Sequence, residues 1–118
     1  MEILIQSVVF QSHLKNLFKK GKLPSVKRGL YGEKITKENV SDEHVRCKCH
    51  GGDNSQGNIA LASKELNNAR GCNPIVNYLN YEMLQNYCFQ FKGVKCQGFD
   101  GDSYVRKLKK TIEDLTNE

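Results

Sequence analysis

A chain of 118 residues has room for one domain with a modest apolar core, and it does not need disulfides to fold. No stretch approaches the roughly 20 apolar residues of a membrane span, so no membrane partner is expected. The formal charge is +5 and unevenly placed: from His13 to Lys37 there are eight basic residues (Lys15, Lys19, Lys20, Lys22, Lys27, Arg28, Lys34, Lys37) against one acid, Glu33. A basic block of this kind points to a polyanion, usually nucleic acid, or else to a solvated face.

The opening segment, MEILIQSVVFQSHLKNLFKK, lacks the marks of a secretion signal. Glu2 stands where positive charge is expected, and no small-residue cleavage site follows the apolar run. A soluble, cytoplasmic chain is the expectation. The five cysteines (Cys47, Cys49, Cys72, Cys88, Cys96) are odd in number and fit reduced thiols in that compartment.

Phe10, Leu14, Leu17 and Phe18 recur at helical spacing, which predicts an amphipathic helix over 8–20, stopped by Gly21. KLPSVKRGLYGEKIT reads as a loop punctuated by Pro24, Gly29 and Gly32. EHVRCKC predicts a short strand, and GGDNSQGN a turn. From Asn58, one or two strand residues are expected to run into a helix rich in Ala, Lys, Glu and Leu, with Gly71 at its C′ position. Asn80 is placed to cap a further helix with Leu84, Tyr87, Cys88 and Phe91 on one face, ended by Gly93. Asp102 or Ser103 is placed to cap a last one, with Val105, Leu108, Ile112 and Leu115 inward. Its charges oppose the helix dipole, Arg106, Lys107, Lys109 and Lys110 lying early and Glu113 and Asp114 late. Phosphate contact by the basic half would account for that order. Tyr78, Tyr81, Tyr87, Phe89 and Phe91 are expected in the core rather than on a base-stacking surface.

The chemistry concentrates in DEHVRCKCHGGDNSQGNIALASKELNNARG, residues 42–71. Hydrolysis of a phosphodiester needs a base to activate water and a divalent cation to offset charge on the phosphate. An acid–His dipeptide on a strand separates these tasks, because neighbouring side chains point to opposite faces. Glu43 and His44 form such a dipeptide; Gly51 and Gly52 allow the chain to double back; Asn67 lies nine residues after Asn58, about two helical turns on, and Arg70 one turn further.

The ordered set Glu43-His44-Val45, Gly51-Gly52, Asn58-Ile59-Ala60-Leu61-Ala62 and Asn67-Asn68-Ala69-Arg70-Gly71 resembles the HNH endonuclease family. It looks like the HNN variant found in the HNH domains of CRISPR effector nucleases, over about 30 of the 118 residues. The resemblance implies an α+β fold: a ββα-metal core over about 40–72, with an N-terminal helix and two C-terminal helices, in a single domain. It implies catalytic roles for His44, the general base, and Asn58, which ties the loop to the backbone near His44. It implies Glu43 and Asn67 as metal ligands. The hard oxygen donors suit Mg²⁺ or Mn²⁺ better than zinc. Duplex DNA, held through its backbone by Lys19, Lys20, Lys22, Lys27, Arg28 and Arg70, would be the substrate. Small stand-alone HNH proteins are often encoded by phages and mobile elements.

The chain departs from the family pattern in three places. Glu43 replaces the commoner Asp, and Asp42 would point to the wrong face to substitute. Cys47 stands where a proline is frequent. Ser63 and Leu66 occupy positions of one zinc-binding CxxC pair, so structural zinc is not expected from that pattern. A Cys47, Cys49, His50 and Cys72 set has tight spacing, and the Cys49-His50 adjacency is poor for tetrahedral closure; free thiols are the expectation. His44 could instead be a core histidine, Asn58 and Asn67 simple helix caps, and His13 a surface residue. The rival function is a binding protein that keeps the HNH shape without turnover, such as a phage-encoded inhibitor of a host defence nuclease of the anti-CRISPR type. In that case the partner would be a nuclease or another phage protein.

Overall fold

A computed structural model of the chain describes residues 12–118. The beginning of the first expected helix, with Val8 and Phe10, and the segment around Glu2 lie outside the described residues. Among the described residues the protein is α+β, with four α-helices and two small antiparallel sheets. No helix among them is long and apolar enough to cross a membrane.

Helix α1 spans His13–Lys19 and is capped by Ser12, whose hydroxyl accepts the Lys15 N–H. Leu14 and Leu17 bury its inner face. The segment 20–39 has little regular structure, as expected from its Pro and Gly residues. It is anchored by buried Leu23, Val26, Leu30 and Ile35 and by a single bridge between Arg28 and Lys34.

Strand β1 (Val40–His44) pairs antiparallel with β2 (Ile59–Ser63), Glu43 opposite Ala60 and His44 opposite Ile59. Helix α2 (Lys64–Arg70) follows at once, its N-terminus capped by the Ser63 hydroxyl. Two expectations shift here. The first strand begins at Val40 and stops at His44 rather than running on through Cys49. The second has five residues rather than one or two. All five are buried, so neither face is wet and the alternating signal that would reveal a strand is absent.

A two-stranded hairpin is marginal alone, and its open edges need partners. Here both edges are closed by side chains. Asp42 and His44 are two apart, so their carbonyls lie on the same edge of β1. Asn67 donates to the Asp42 carbonyl at 3.0 Å and Arg70 to the His44 carbonyl at 2.7 Å. On β2, the Tyr104 hydroxyl donates to the Ile59 carbonyl at 2.7 Å, and the Tyr87 hydroxyl accepts the Leu61 N–H at 2.9 Å. The two hydroxyls join each other at 2.9 Å, and the Leu30 N–H reaches the Leu61 carbonyl.

Helix α3 (Tyr81–Phe89) is capped by Asn80 as the sequence indicates. Strands β3 (Lys95–Cys96) and β4 (Phe99–Asp100) form a minimal hairpin. Helix α4 (Gly101–Thr116) starts earlier than expected, because Asp100 caps it by accepting the Asp102 and Ser103 N–H groups. Its inward face adds Tyr104 to Leu108 and Ile112, while Val105 and Leu115 are half-buried. Tyr87, Phe91, Phe99 and Tyr104 cluster in the core, with Phe91 and Tyr104 ring centres 5.0 Å apart. Tyr78, Tyr81 and Phe89 do not join them. They are 38%, 75% and 73% exposed among the described residues.

Candidate functional site

The connection between β1 and β2 is where local sequence most directly fixes geometry. Gly51 takes φ +90°, a conformation that side chains disfavour. A Cβ at Gly52 would fall on the Arg46 carbonyl oxygen, so the chain can double back only because that residue is glycine. Asn58 then braces the turn. Its side-chain oxygen accepts the Arg46 N–H at 2.7 Å, and its amide donates to the Arg46 and Asp53 carbonyls at 3.1 and 2.8 Å. Asn58 is thus tied to the backbone two residues beyond His44. It is buried and touches backbone groups of the turn, which is a positioning geometry.

His44 closes β1 at the mouth of this turn, half-buried, with Nε2 2.8 Å from the Asn54 side-chain oxygen. An oxygen acceptor there calls for the proton on Nε2, which leaves the lone pair of the neutral ring on Nδ1. Asn54 was not singled out from the sequence. Its only signal was its place in a polar, glycine-rich turn.

Glu43 points to the opposite face, as strand alternation requires, and is 2% exposed. One carboxylate oxygen accepts from Arg70 Nη1 at 3.0 Å, and the other accepts the Tyr31 hydroxyl at 2.6 Å. Burial pushes the Glu43 carboxyl above its ordinary range, with the Tyr31 hydrogen bond and the Arg70 charge pulling the other way. Burial and the facing carboxylate likewise push the Tyr31 hydroxyl strongly up, so it remains a donor. Asn67 donates to the Ser41 hydroxyl and the Asp42 carbonyl, both at 3.0 Å. The sequence reading places a divalent ion between Glu43 and Asn67. As packed, the pair does not fit one: both Glu43 oxygens are committed, and a guanidinium already neutralises the carboxylate.

Arg70 is likewise turned inward rather than toward a phosphate. It is 3% exposed and donates to Glu43 and to the carbonyls of His44, Val45 and Asn73. The arginine reaches the strand edge because α2 packs along it, and burial of its charge is offset by the Glu43 carboxylate. Asp42 is taken up by α1, its carboxylate accepting the Ser12 N–H and hydroxyl.

The remaining basic residues keep to the surface. Lys20, Lys22, Lys27 and Arg28 are exposed, and Lys19 is half-buried. The backbone around Lys27 and Arg28 is held by Gln90, whose side-chain oxygen accepts both N–H groups at 2.8 and 2.9 Å. That clamp gives the basic loop a fixed course.

One cluster goes against the reading of separate free thiols. Cys47 and Cys72 are joined as a disulfide, and the Cys49 sulfur lies 3.1 Å from each of theirs. The three sulfurs all lie within 4.8 Å of one another, a grouping able to hold a metal ion. The sequence offers these cysteines as a set but not their closeness, which depends on α2 returning to the β1–β2 connection. No protein-family model matches the chain, and no curated protein matches it.

Proposed function

We propose that the protein is an HNH-type endonuclease that hydrolyses phosphodiester bonds of DNA, with His44 as the general base. The observation that carries the reading is the turn itself. A hairpin runs directly into a helix, and Asn58 holds the backbone just beyond a histidine that stands at the strand end. This is the order of parts that the resemblance of residues 42–71 implies. In the proposed step, His44 takes a proton from the attacking water through Nδ1 while Asn54 fixes the ring through Nε2. The basic loop from Lys19 to Arg28 would bind the DNA backbone and set no base preference. A cytoplasmic, phage- or bacterium-encoded setting accords with such a substrate.

The resemblance also implies Mg²⁺ or Mn²⁺, which would stabilise charge on the phosphate. Glu43 and Asn67 carry oxygen atoms of the right hardness, but as packed the pair does not fit the ion. Because the Glu43 carboxylate is closed by Arg70 and Tyr31, the chemistry assigned to this chain's own residues rests on His44.

That closure also favours a second reading, an HNH-shaped binding protein without turnover whose partner is a nuclease or another phage protein. Supercoiled plasmid incubated with Mg²⁺, Mn²⁺ or chelator separates the two. The enzyme nicks or cuts, and His44→Ala loses roughly 10²-fold or more of the rate while still binding DNA. A mutant that cleaves within a few-fold of wild type removes His44 from the mechanism. Absence of cleavage under every condition leaves the binding protein.

A further inference from the structure

We propose that Cys47, Cys49 and Cys72, once reduced, form a thiolate site for a single zinc ion that fastens the end of α2 to the β1–β2 connection. Cys47 and Cys49 lie in the connection after β1, and Cys72 lies two residues beyond the last residue of α2. Their sulfurs fall within 4.8 Å of one another. Three tetrahedral ligands at about 2.3 Å from an ion stand about 3.8 Å apart, so once the disulfide is opened a spread of under about 1 Å from the 3.1 Å approach of Cys49 reaches the spacing that zinc requires. A disulfide uses two sulfurs and leaves no role for the third, yet Cys49 lies equally close, at 3.1 Å, to both partners.

The ligand atoms that converge are the three sulfurs without His50, whose adjacency to Cys49 is poor for tetrahedral closure, so the fourth position falls to water. Soft sulfur donors select zinc over Mg²⁺ or Mn²⁺, so this site is chemically separate from the oxygen donors at Glu43 and Asn67. It also lies apart from the paired CxxC arrangement whose positions are Ser63 and Leu66 here.

The two forms interconvert with a defined balance. Two equivalents of an external thiol reduce the Cys47–Cys72 bond by exchange and leave as their own disulfide. The three cysteine thiols then lose three protons to solvent as one Zn²⁺ binds, with no change in the oxidation state of the metal.

The test is a titration of the full chain with Zn²⁺ or Co²⁺ alone, after reduction by a thiol and removal of free metal. One ion per chain is expected, with strong thiolate-to-cobalt charge-transfer absorption for Co²⁺. Chelation under reducing conditions should lower Tm by more than about 10 °C. The oxidised chain should take up no metal until it is reduced. Cys49→Ser is the deciding variant, because Cys49 is exposed and outside the disulfide. It should bind at least about 100-fold more weakly while its far-ultraviolet circular dichroism stays that of the wild type. Reduced wild type that holds no ion and shows no charge-transfer band overturns the site. So does a folded Cys49→Ser chain that binds as tightly as wild type. The wild-type cobalt spectrum decides the matter even if the variant fails to fold.

Discussion

Replacing Arg70 with Met tests the claim that the Glu43 end of the hairpin is held by a buried ion pair rather than by a metal. Met keeps most of the side-chain volume and removes the charge. The change strands a carboxylate that is 2% exposed and takes the donor from three backbone carbonyls, those of His44, Val45 and Asn73. Breaking one side of a buried pair costs about 3–5 kcal/mol. In a domain of this size each kcal/mol moves Tm by about 3–6 °C, so the variant should melt about 10–30 °C lower. The loss should depend on pH. Burial already raises the folded carboxyl above its ordinary value of 4.5, and Arg70 opposes that rise. Without Arg70 the folded carboxyl titrates higher still. The folded chain then keeps a proton that the unfolded chain has released, and stability falls as pH rises from about 4.5 to the new folded value. The deficit is therefore smaller near the bottom of that window and full above it. Glu43→Gln should relieve most of it, so the double variant should be more stable than the sum of the single effects predicts by at least about 1 kcal/mol. Chemical denaturation of the four chains across this pH range measures the coupling. An Arg70→Met loss under about 1 kcal/mol, or one that does not change with pH, refutes the reasoning.

Replacing Lys19, Lys20 and Lys22 with Gln should weaken binding to all DNA sequences alike, and the slope of log K against log salt should become shallower by about 0.9 per lost phosphate contact; an unchanged slope would take these residues out of the interface. Tyr104→Phe removes the donor to the Ile59 carbonyl and the link to Tyr87, and urea unfolding should show a loss of about 1–3 kcal/mol, whereas a change below about 0.5 kcal/mol would mean the β2 edge is held by other means. Asn58→Ala should cost at least about 2 kcal/mol and speed amide exchange at Arg46, whose N–H it holds; protection equal to wild type at that amide would contradict the bracing role.

The order of elements was legible because local signals carry it. Asn80 and Gly71 marked helix ends, and Gly51-Gly52 marked a turn that needs glycine for two separate reasons, a positive φ and a close carbonyl. What was hidden depends on partners distant in sequence. Arg70 follows Glu43 by 27 residues, and nothing in either neighbourhood says that one will neutralise the other. Tyr31 precedes Glu43 by 12 residues, inside a loop whose course no periodicity describes. The full length of β2 was hidden by burial on both faces. Tyr104 is missing from the expected inward face, since the expected cap, Asp102 or Ser103, lies two or three residues after the true one, Asp100.

The closure of the hairpin's two edges bears on where chemistry can occur. The β2 edge is bound by two buried tyrosines from different helices, and the β1 edge by Asn67 and Arg70 of α2. Each contact joins a side chain to backbone, so the strands cannot slide in register without breaking several buried hydrogen bonds at once. The end of β1 is different. There the hairpin opens into residues 45–58, held by Asn58 and by the sulfur cluster at its two margins, and the half-buried His44 ring projects from it toward the exposed Asn54. The proposed general base would gain from such a place: its backbone is fixed by the strand while its ring faces the exposed turn. The interior face, with Glu43 neutralised by Arg70, gives that histidine a rigid base. In the proposed enzyme the reactive side would then be the turn side of β1. Substitutions at Asn54 should act on the behaviour of the His44 ring, and those at Glu43 first on the stability of the fold.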